Sequence, residues 1–277
     1  MCLIAFAWRS HPRYRLVVAA NRDEYFGRPA AQAGFWDDHP NILAGRDLEA
    51  GGTWLGITLE GRFAALTNYR NPADKKTGAP SRGALVADFL TGKTSSQEYV
   101  QLVEKRAADY NGFSLLVGDV GSMFFFSNRG ERAARVAPGV HGLSNHLLDT
   151  PWPKVEKAKA GLAALLDGPF DSEAAFGLLS DTGRAAGSEL PSTGVSLELE
   201  ERLSAIRILA VGGYGTRCST ALFFSEDGRI EFHERSYTEE GGVSGTVGYR
   251  VTLAQGKARA SSRRAESPPP KTPLPAR

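Results

Sequence analysis

The sequence predicts an α+β fold on three observations. Apolar strand patterns come in runs, helical patterns come in adjacent pairs between those runs, and neither an internal repeat nor a persuasive linker interrupts the first 253 residues. At 277 residues the chain is long enough to bury a sizeable core.

The elements follow in order. Cys2, Ile4, Phe6 and Trp8 alternate with Leu3, Ala5 and Ala7, which fits a strand buried on both faces with the larger side chains on one of them. The same stretch lacks the basic leader and small-residue cleavage site of a signal peptide, so it reads as mature structure. Tyr14–Ala20 is a second strand, joined to the first through Ser10-His11-Pro12-Arg13. The resulting hairpin brings the start of the chain beside Asn21-Arg22-Asp23-Glu24. Gly52–Thr58 and Arg62–Asn68 flank a Glu60-Gly61 turn and form another hairpin. Phe113–Val117, Met123–Ser127, Ile206–Val211, Ser219–Ser225 and Ile230–Arg235 add strands. Helices fall at Ser81–Leu90, Gln97–Tyr110, Trp152–Leu166 and Ser172–Leu179. The second opens on a Ser95-x-x-Glu98 capping box and the third carries Pro153 in its first turn.

Residues 1–253 therefore form the folded unit. Residues 254–277 contain Ser261-Ser262-Arg263-Arg264 and Pro268-Pro269-Pro270, with Leu274 their only sizeable apolar side chain, and are expected to be a disordered basic tail. The net charge of +2 comes from 33 basic and 31 acidic side chains. Six of the basic residues and one acid lie in the tail, leaving 27 against 30, or −3, for the rest. A core of that balance lacks the clustered Lys and Arg that phosphate neutralisation needs, which argues against a nucleic-acid partner. No run approaches the ~18 apolar residues of a membrane span. Cys2 and Cys218 form neither a disulfide framework nor a zinc pattern, which suits a reducing, cytoplasmic compartment.

Cys2 is the first candidate for chemistry. A small residue at position 2 lets the initiator Met be removed, which would place a thiol and a free α-amine on one residue. Near neutral pH the amine, which ordinarily titrates at about 7.7–8.0, can take the proton of a thiol that ordinarily titrates at about 8.5. A frayed terminus with a chance Cys is the plainer alternative, and the apolar alternation that starts at once favours chemistry. Asn21-Arg22-Asp23-Glu24 reads in isolation as a solvated turn or cap. Beside the N-terminus, an Arg next to a carboxylate can instead hold the amine or a substrate anion. Asn68 and Asn145 stand at strand ends, where most asparagines cap turns, although a side-chain amide can stabilise an oxyanion. Gly212-Gly213-Tyr214-Gly215-Thr216-Arg217 suggests a phosphate loop, but a strand rather than a helix follows. It reads better as close backbone packing with Arg217 aimed at a groove. His141 and His146 flank the Asn145 segment, and neither has metal-ligand spacing on a helix.

Taken together, Met1-Cys2, Asn21-Arg22-Asp23-Glu24, Gly51-Gly52-Thr53-Trp54-Leu55-Gly56, Ala65-Leu66-Thr67-Asn68-Tyr69, Gly142-Leu143-Ser144-Asn145, Thr150-Pro151-Trp152-Pro153-Lys154 and Tyr214-Gly215-Thr216-Arg217-Cys218 resemble the NRDE family from Met1 to about Leu253. That family looks like a relative of the N-terminal nucleophile hydrolases. The resemblance implies a four-layer αββα sandwich of two stacked antiparallel sheets between helix layers. Its nearest catalytic analogues are penicillin V acylase and conjugated bile salt hydrolase, which use a processed N-terminal Cys. Carried over, Cys2 would be the nucleophile, Asp23 the partner of the α-amine, and Asn68 and Asn145 the donors to a tetrahedral intermediate. One departure is visible: the hydrolases carry Arg-x-x-Asp, whereas Ala20 stands at that Arg position and Arg22 directly precedes Asp23. The resemblance implies hydrolysis of a small amide or thioester with no cofactor. It also associates the chain with haem mobilisation and with acyl-coenzyme A or lipid homeostasis. On those readings Cys2 and His146 are the haem ligands to test, and Arg22 and Arg217 would hold an acyl-coenzyme A or lipid-phosphate anion.

Overall fold

The computed structural model describes residues 2–253 and, by backbone alone, 259–261. The first strand, β1 (Cys2–Trp8), and the second, β2 (Tyr14–Tyr25), form the expected hairpin, in register from Cys2 opposite Arg22 to Trp8 opposite Leu16. β2 runs five residues further than the apolar pattern, so Asn21-Arg22-Asp23-Glu24 is its end rather than a turn after it. Strands β3 (Ala30–Phe35), β4 (Ile42–Asp47), β5 (Leu55–Thr58) and β6 (Phe63–Asn68) follow, and then helices α1 (Gly83–Thr91) and α2 (Ser96–Lys105). Ser95 caps α2 with the predicted box, accepting from Glu98 N while the Glu98 carboxylate accepts from Ser95 N. Next come β7 (Phe113–Gly118), β8 (Met123–Ser127), β9 (Ala134–Arg135) and β10 (Gly139–Leu143), then α3 (Pro153–Leu166), α4 (Ser172–Leu179) and α5 (Leu197–Leu203). The described chain closes with β11 (Tyr214–Ser225), β12 (Arg229–Tyr237), β13 (Val243–Thr252) and β14 (Arg259–Ser261).

Two antiparallel seven-stranded sheets result, ordered β10-β1-β2-β11-β12-β13-β14 and β3-β4-β5-β6-β7-β8-β9. Helices α3 and α4 cover the outer face of the first sheet and α1 and α2 that of the second, which gives the four-layer sandwich. Alternation in β1 divides its side chains between two cores. Ile4, Phe6 and Trp8 enter the core between the sheets, whereas Leu3, Ala5 and Ala7 meet Trp152, Val155 and Ala158 of the α3 region. Full burial of a side chain such as Phe6 contributes about 1.5–3 kcal/mol.

Ile206–Val211, read from its apolar alternation as a strand, is instead an irregular segment with one bridge, Val211 to Tyr214. Its backbone is satisfied by side chains and loops: Asn21 donates to Ile206 O, Ile208 N donates to Thr216 Oγ1, and Arg207 N donates to Asp181 O. Gly212 and Gly213, at φ +60 and +75, make the tight turn. A Cβ on Gly215 would stand 2.9 Å from Ala210 Cα, which accounts for the close packing expected there. The expected disorder of residues 254–277 lies outside the described residues except for β14, which pairs with Arg250–Thr252 of β13.

Candidate active site

The ladder position of Cys2 decides where its thiol points. Cys2 lies opposite Arg22, and Arg22 lies opposite Cys218 on its other side. Paired residues share a face, and Cys2 has the parity of Ile4, Phe6 and Trp8, so both thiols and the guanidinium between them face the space between the sheets. A cavity of about 620 Å³ opens there, lined among others by Cys2, Arg22, Asn68, Arg82, Cys218 and Glu234. Two strand spacings separate the cysteines, on the order of 10 Å, which is too far for a disulfide. Both are free and buried.

Electrostatics hold both thiols in the neutral form. Burial pushes the Cys2 thiol up; the terminal ammonium pulls it down, Asp23 pushes it up and Arg22 pulls it down. Burial and Glu234 push Cys218 well above the usual thiol value. Such thiols are weak nucleophiles until a base takes the proton. The Arg22 side chain makes no hydrogen bond or ion pair among the described residues, so its guanidinium is available to the cavity.

Asp23 carries the opposite parity and turns toward the helix side of the sheet, 1% exposed, where its Oδ1 accepts from Thr216 Oγ1 at 2.7 Å. Burial raises its carboxyl pKa, and Lys154, the terminal ammonium, the Thr216 hydroxyl and Arg70 oppose that rise. Tyr214 donates its hydroxyl to Asp23 O at 3.1 Å. Asn68, at the end of β6, lines the cavity, and its carbonyl accepts from Asn145 Nδ2 at 2.9 Å. Asn145 is fully buried behind it. Ser144 Oγ lies 3.1 Å from Cys2 O and 3.3 Å from Asn145 Oδ1, tying the start of β1 to that amide.

The remaining candidates are placed differently. Arg217 lines the cavity, but its Nη1 donates to Tyr25 O and Arg28 O, so it braces the turn after β2. His146 stands off the cavity, with Nε2 2.6 Å from Tyr69 Oη and Nδ1 2.9 Å from Thr150 Oγ1. Both ring nitrogens are engaged, so this histidine does not fit a haem-iron ligand.

Four residues that sequence reasoning did not single out also belong to this region. Arg82, just before α1, lines the cavity and donates to Gly112 O at 3.0 Å. Glu234, buried on the cavity wall, accepts from Ala33 N at 2.8 Å, and burial raises its pKa. Arg70 and Glu200 form a buried ion pair at 2.5 Å behind Asp23, with the Arg70 guanidinium 4.7 Å from the centre of the Trp152 ring. None of the four lies within the seven motifs, although Arg70 directly follows one of them, Ala65-Leu66-Thr67-Asn68-Tyr69.

The architecture and sequence have known counterparts. The C2A mutant of conjugated bile acid hydrolase from Clostridium perfringens is similar with a TM-score of 0.50 at 9% identity, over 97% of each chain. The two stacked sheets between helices are thus of N-terminal nucleophile hydrolase type. The transport and Golgi organization protein 2 homolog of Bos taurus is 40% identical over 85% of this chain and 93% of its own length. The Homo sapiens homolog is 36% identical over 87% and 94%. The Drosophila melanogaster protein of that name is 26% identical over 86% and 93%. A family profile described as Transport and Golgi organisation 2 matches residues 1–239. The chain belongs to the transport and Golgi organisation 2 family.

Proposed function

We propose that the chain is an N-terminal cysteine hydrolase of small amides or thioesters, with Cys2 as nucleophile once Met1 has been removed. The observation that carries this reading is the register that sets the Cys2 thiol beside Arg22 on the cavity wall, with Asp23 buried at the same strand end. After Met1 is lost, the α-amine takes the thiol proton and the sulfur attacks the carbonyl carbon. The resulting ammonium then protonates the departing amine or thiolate, and water releases the acyl group from sulfur. Asp23 holds the amine, and the Asn68 amide donates to the oxyanion. Asn145, bonded to the Asn68 carbonyl, steadies that donor from behind. Arg22 occupies the face that an Arg at position 20 would have used, two residues along the strand. It therefore lies beside the thiol rather than opposite Ile4. No cofactor enters these steps. A cytoplasmic site of action belongs to this reading and is supported by the two free cysteines. Among the described residues no helix is long and apolar enough to cross a membrane.

The reading is tested with a panel of short acyl thioesters and amides. Wild type is expected to release the leaving group, Cys2→Ala to release none, and Cys218→Ala to remain active. Hydrolysis at the wild-type rate by Cys2→Ala would end the reading.

A second reading is favoured by the unpaired Arg22 and by Arg82 in the same wall: binding of acyl-coenzyme A or another lipid phosphate without turnover. Saturating acyl-coenzyme A should then raise the melting temperature of wild type, and less that of Arg22→Ala. An unchanged melting temperature in wild type refutes it.

A further inference from the structure

Lys154 is a buried cation that the proposed reaction does not use. It is 2% exposed, and its Nζ has no hydrogen-bond partner among the described residues. An ammonium carries three donors and is costly to bury alone. The void beside it, of about 10 Å³, is bounded by Arg70, Trp152 and Glu200 and admits at most one water, which cannot satisfy three donors.

The charges facing Lys154 show what offsets that cost. It lies in the first turn of α3, which rests on β1 and β10, and Asp23 turns toward the same side from β2. Burial lowers its pKa to about 8; Asp23 is the leading influence holding the proton on, Arg70 opposes, and Cys2 and Glu200 assist Asp23. Of these, Glu200 is already paired with Arg70 and accepts from the Thr193 hydroxyl, and the Cys2 thiol is held neutral by burial. The relation is reciprocal, because after burial Lys154 is the largest influence on Asp23.

We propose that Lys154 is a positioning residue whose ammonium keeps the Asp23 carboxyl ionised in the buried niche behind Cys2. Its use, to let Asp23 hold the α-amine, rests on the hydrolase reading, whereas the Lys154–Asp23 link needs only two charges buried on one side of the sheet and does not require turnover. Lys154→Met removes the charge and keeps the stem. Asp23, followed by carbon-13 NMR in Asp-labelled protein and assigned with Asp23→Asn, should then titrate about two pH units higher. Activity needs Asp23 ionised, so the acid limb of thioester hydrolysis should rise by the same amount. The variant is then slower most on the acid side of that limb, by up to about a hundredfold below both midpoints. Lys154→Arg should restore both, and Lys154→Gln, which keeps a polar end without charge, should shift both if the Met variant does not fold. A lysine of merely structural value would move neither readout. A folded Lys154→Met or Lys154→Gln with the wild-type Asp23 titration overturns the assignment. If wild type shows no Cys2-dependent hydrolysis while Asp23 still titrates higher in the variant, the Lys154 assignment stands and the hydrolase reading falls.

Discussion

Arg70→Met is expected to lower the free energy of unfolding by about 3–5 kcal/mol, measured by urea denaturation. Arg70 and Glu200 are paired with side chains only 5% and 3% exposed. Removing the guanidinium strands a carboxylate in the interior, where the Thr193 N–H and hydroxyl are its remaining neutral donors. The variant also loses the contact of Arg70 with the Trp152 ring. The double variant Arg70→Met, Glu200→Leu should lose much less than the sum of the two single changes, because a buried pair replaced by apolar groups leaves no uncompensated charge. A single-variant loss under about 1 kcal/mol would mean that the pair is effectively solvated, as surface pairs are. The consequence extends to the site, since Arg70 is among the cations that oppose the upward shift of Asp23.

Asp23→Asn is expected to reduce Cys2-dependent thioester hydrolysis by about 10²- to 10⁴-fold, the range that loss of acid–base organisation produces. The substitution keeps shape and removes the charge that would hold the amine. The Thr216 hydroxyl can still donate to the side-chain oxygen, so the strand end should keep its place. In wild type the Asp23 carboxyl titrates above its ordinary value because it is buried. Its ionised form is therefore gained only as pH rises through that elevated value, and activity should climb over the same interval. Rates within a factor of about three of wild type at every pH would show that Asp23 does not serve the amine.

Much of the architecture was legible because the inner strands are apolar enough to carry their own pattern. The alternation of Cys2–Trp8 placed the first hairpin and, through it, the meeting of Cys2 with Arg22 and Asp23. The capping residue Ser95 and the early Pro153 located two helix starts. Other elements were hidden for physical reasons. β3 is built mainly from small residues and slips register between Ala31 and Gly34, and β13 is mostly half-buried or exposed and glycine-containing, so neither alternates clearly. Ile206 and Ile208 are buried like strand residues, yet side chains satisfy part of their backbone and only Ile208 O accepts from a strand, through Thr216 N of β11.

The candidate site divides in the same way. Cys2, Arg22, Asp23 and Asn68 were reached from motifs at strand ends, where the sequence itself limits the neighbours. Lys154 and the Arg70–Glu200 pair were not, because their meaning depends on three segments that converge over more than a hundred residues of chain. A lysine in the first turn of a helix looks like any solvated surface residue until the loop carrying Arg70 and the helix carrying Glu200 close over it. Arg217 and His146 show the converse: each has a residue type suited to a ligand, while the protein engages Nη1 of the one and both ring nitrogens of the other.

The most direct measurement is intact-protein and peptide mass spectrometry before and after brief treatment with iodoacetamide at neutral pH. A chain that begins at Cys2 and takes up a single adduct there, with Cys218 unmodified, is the expected result. A chain that still carries Met1, or an adduct on Cys218 in preference to Cys2, would contradict it.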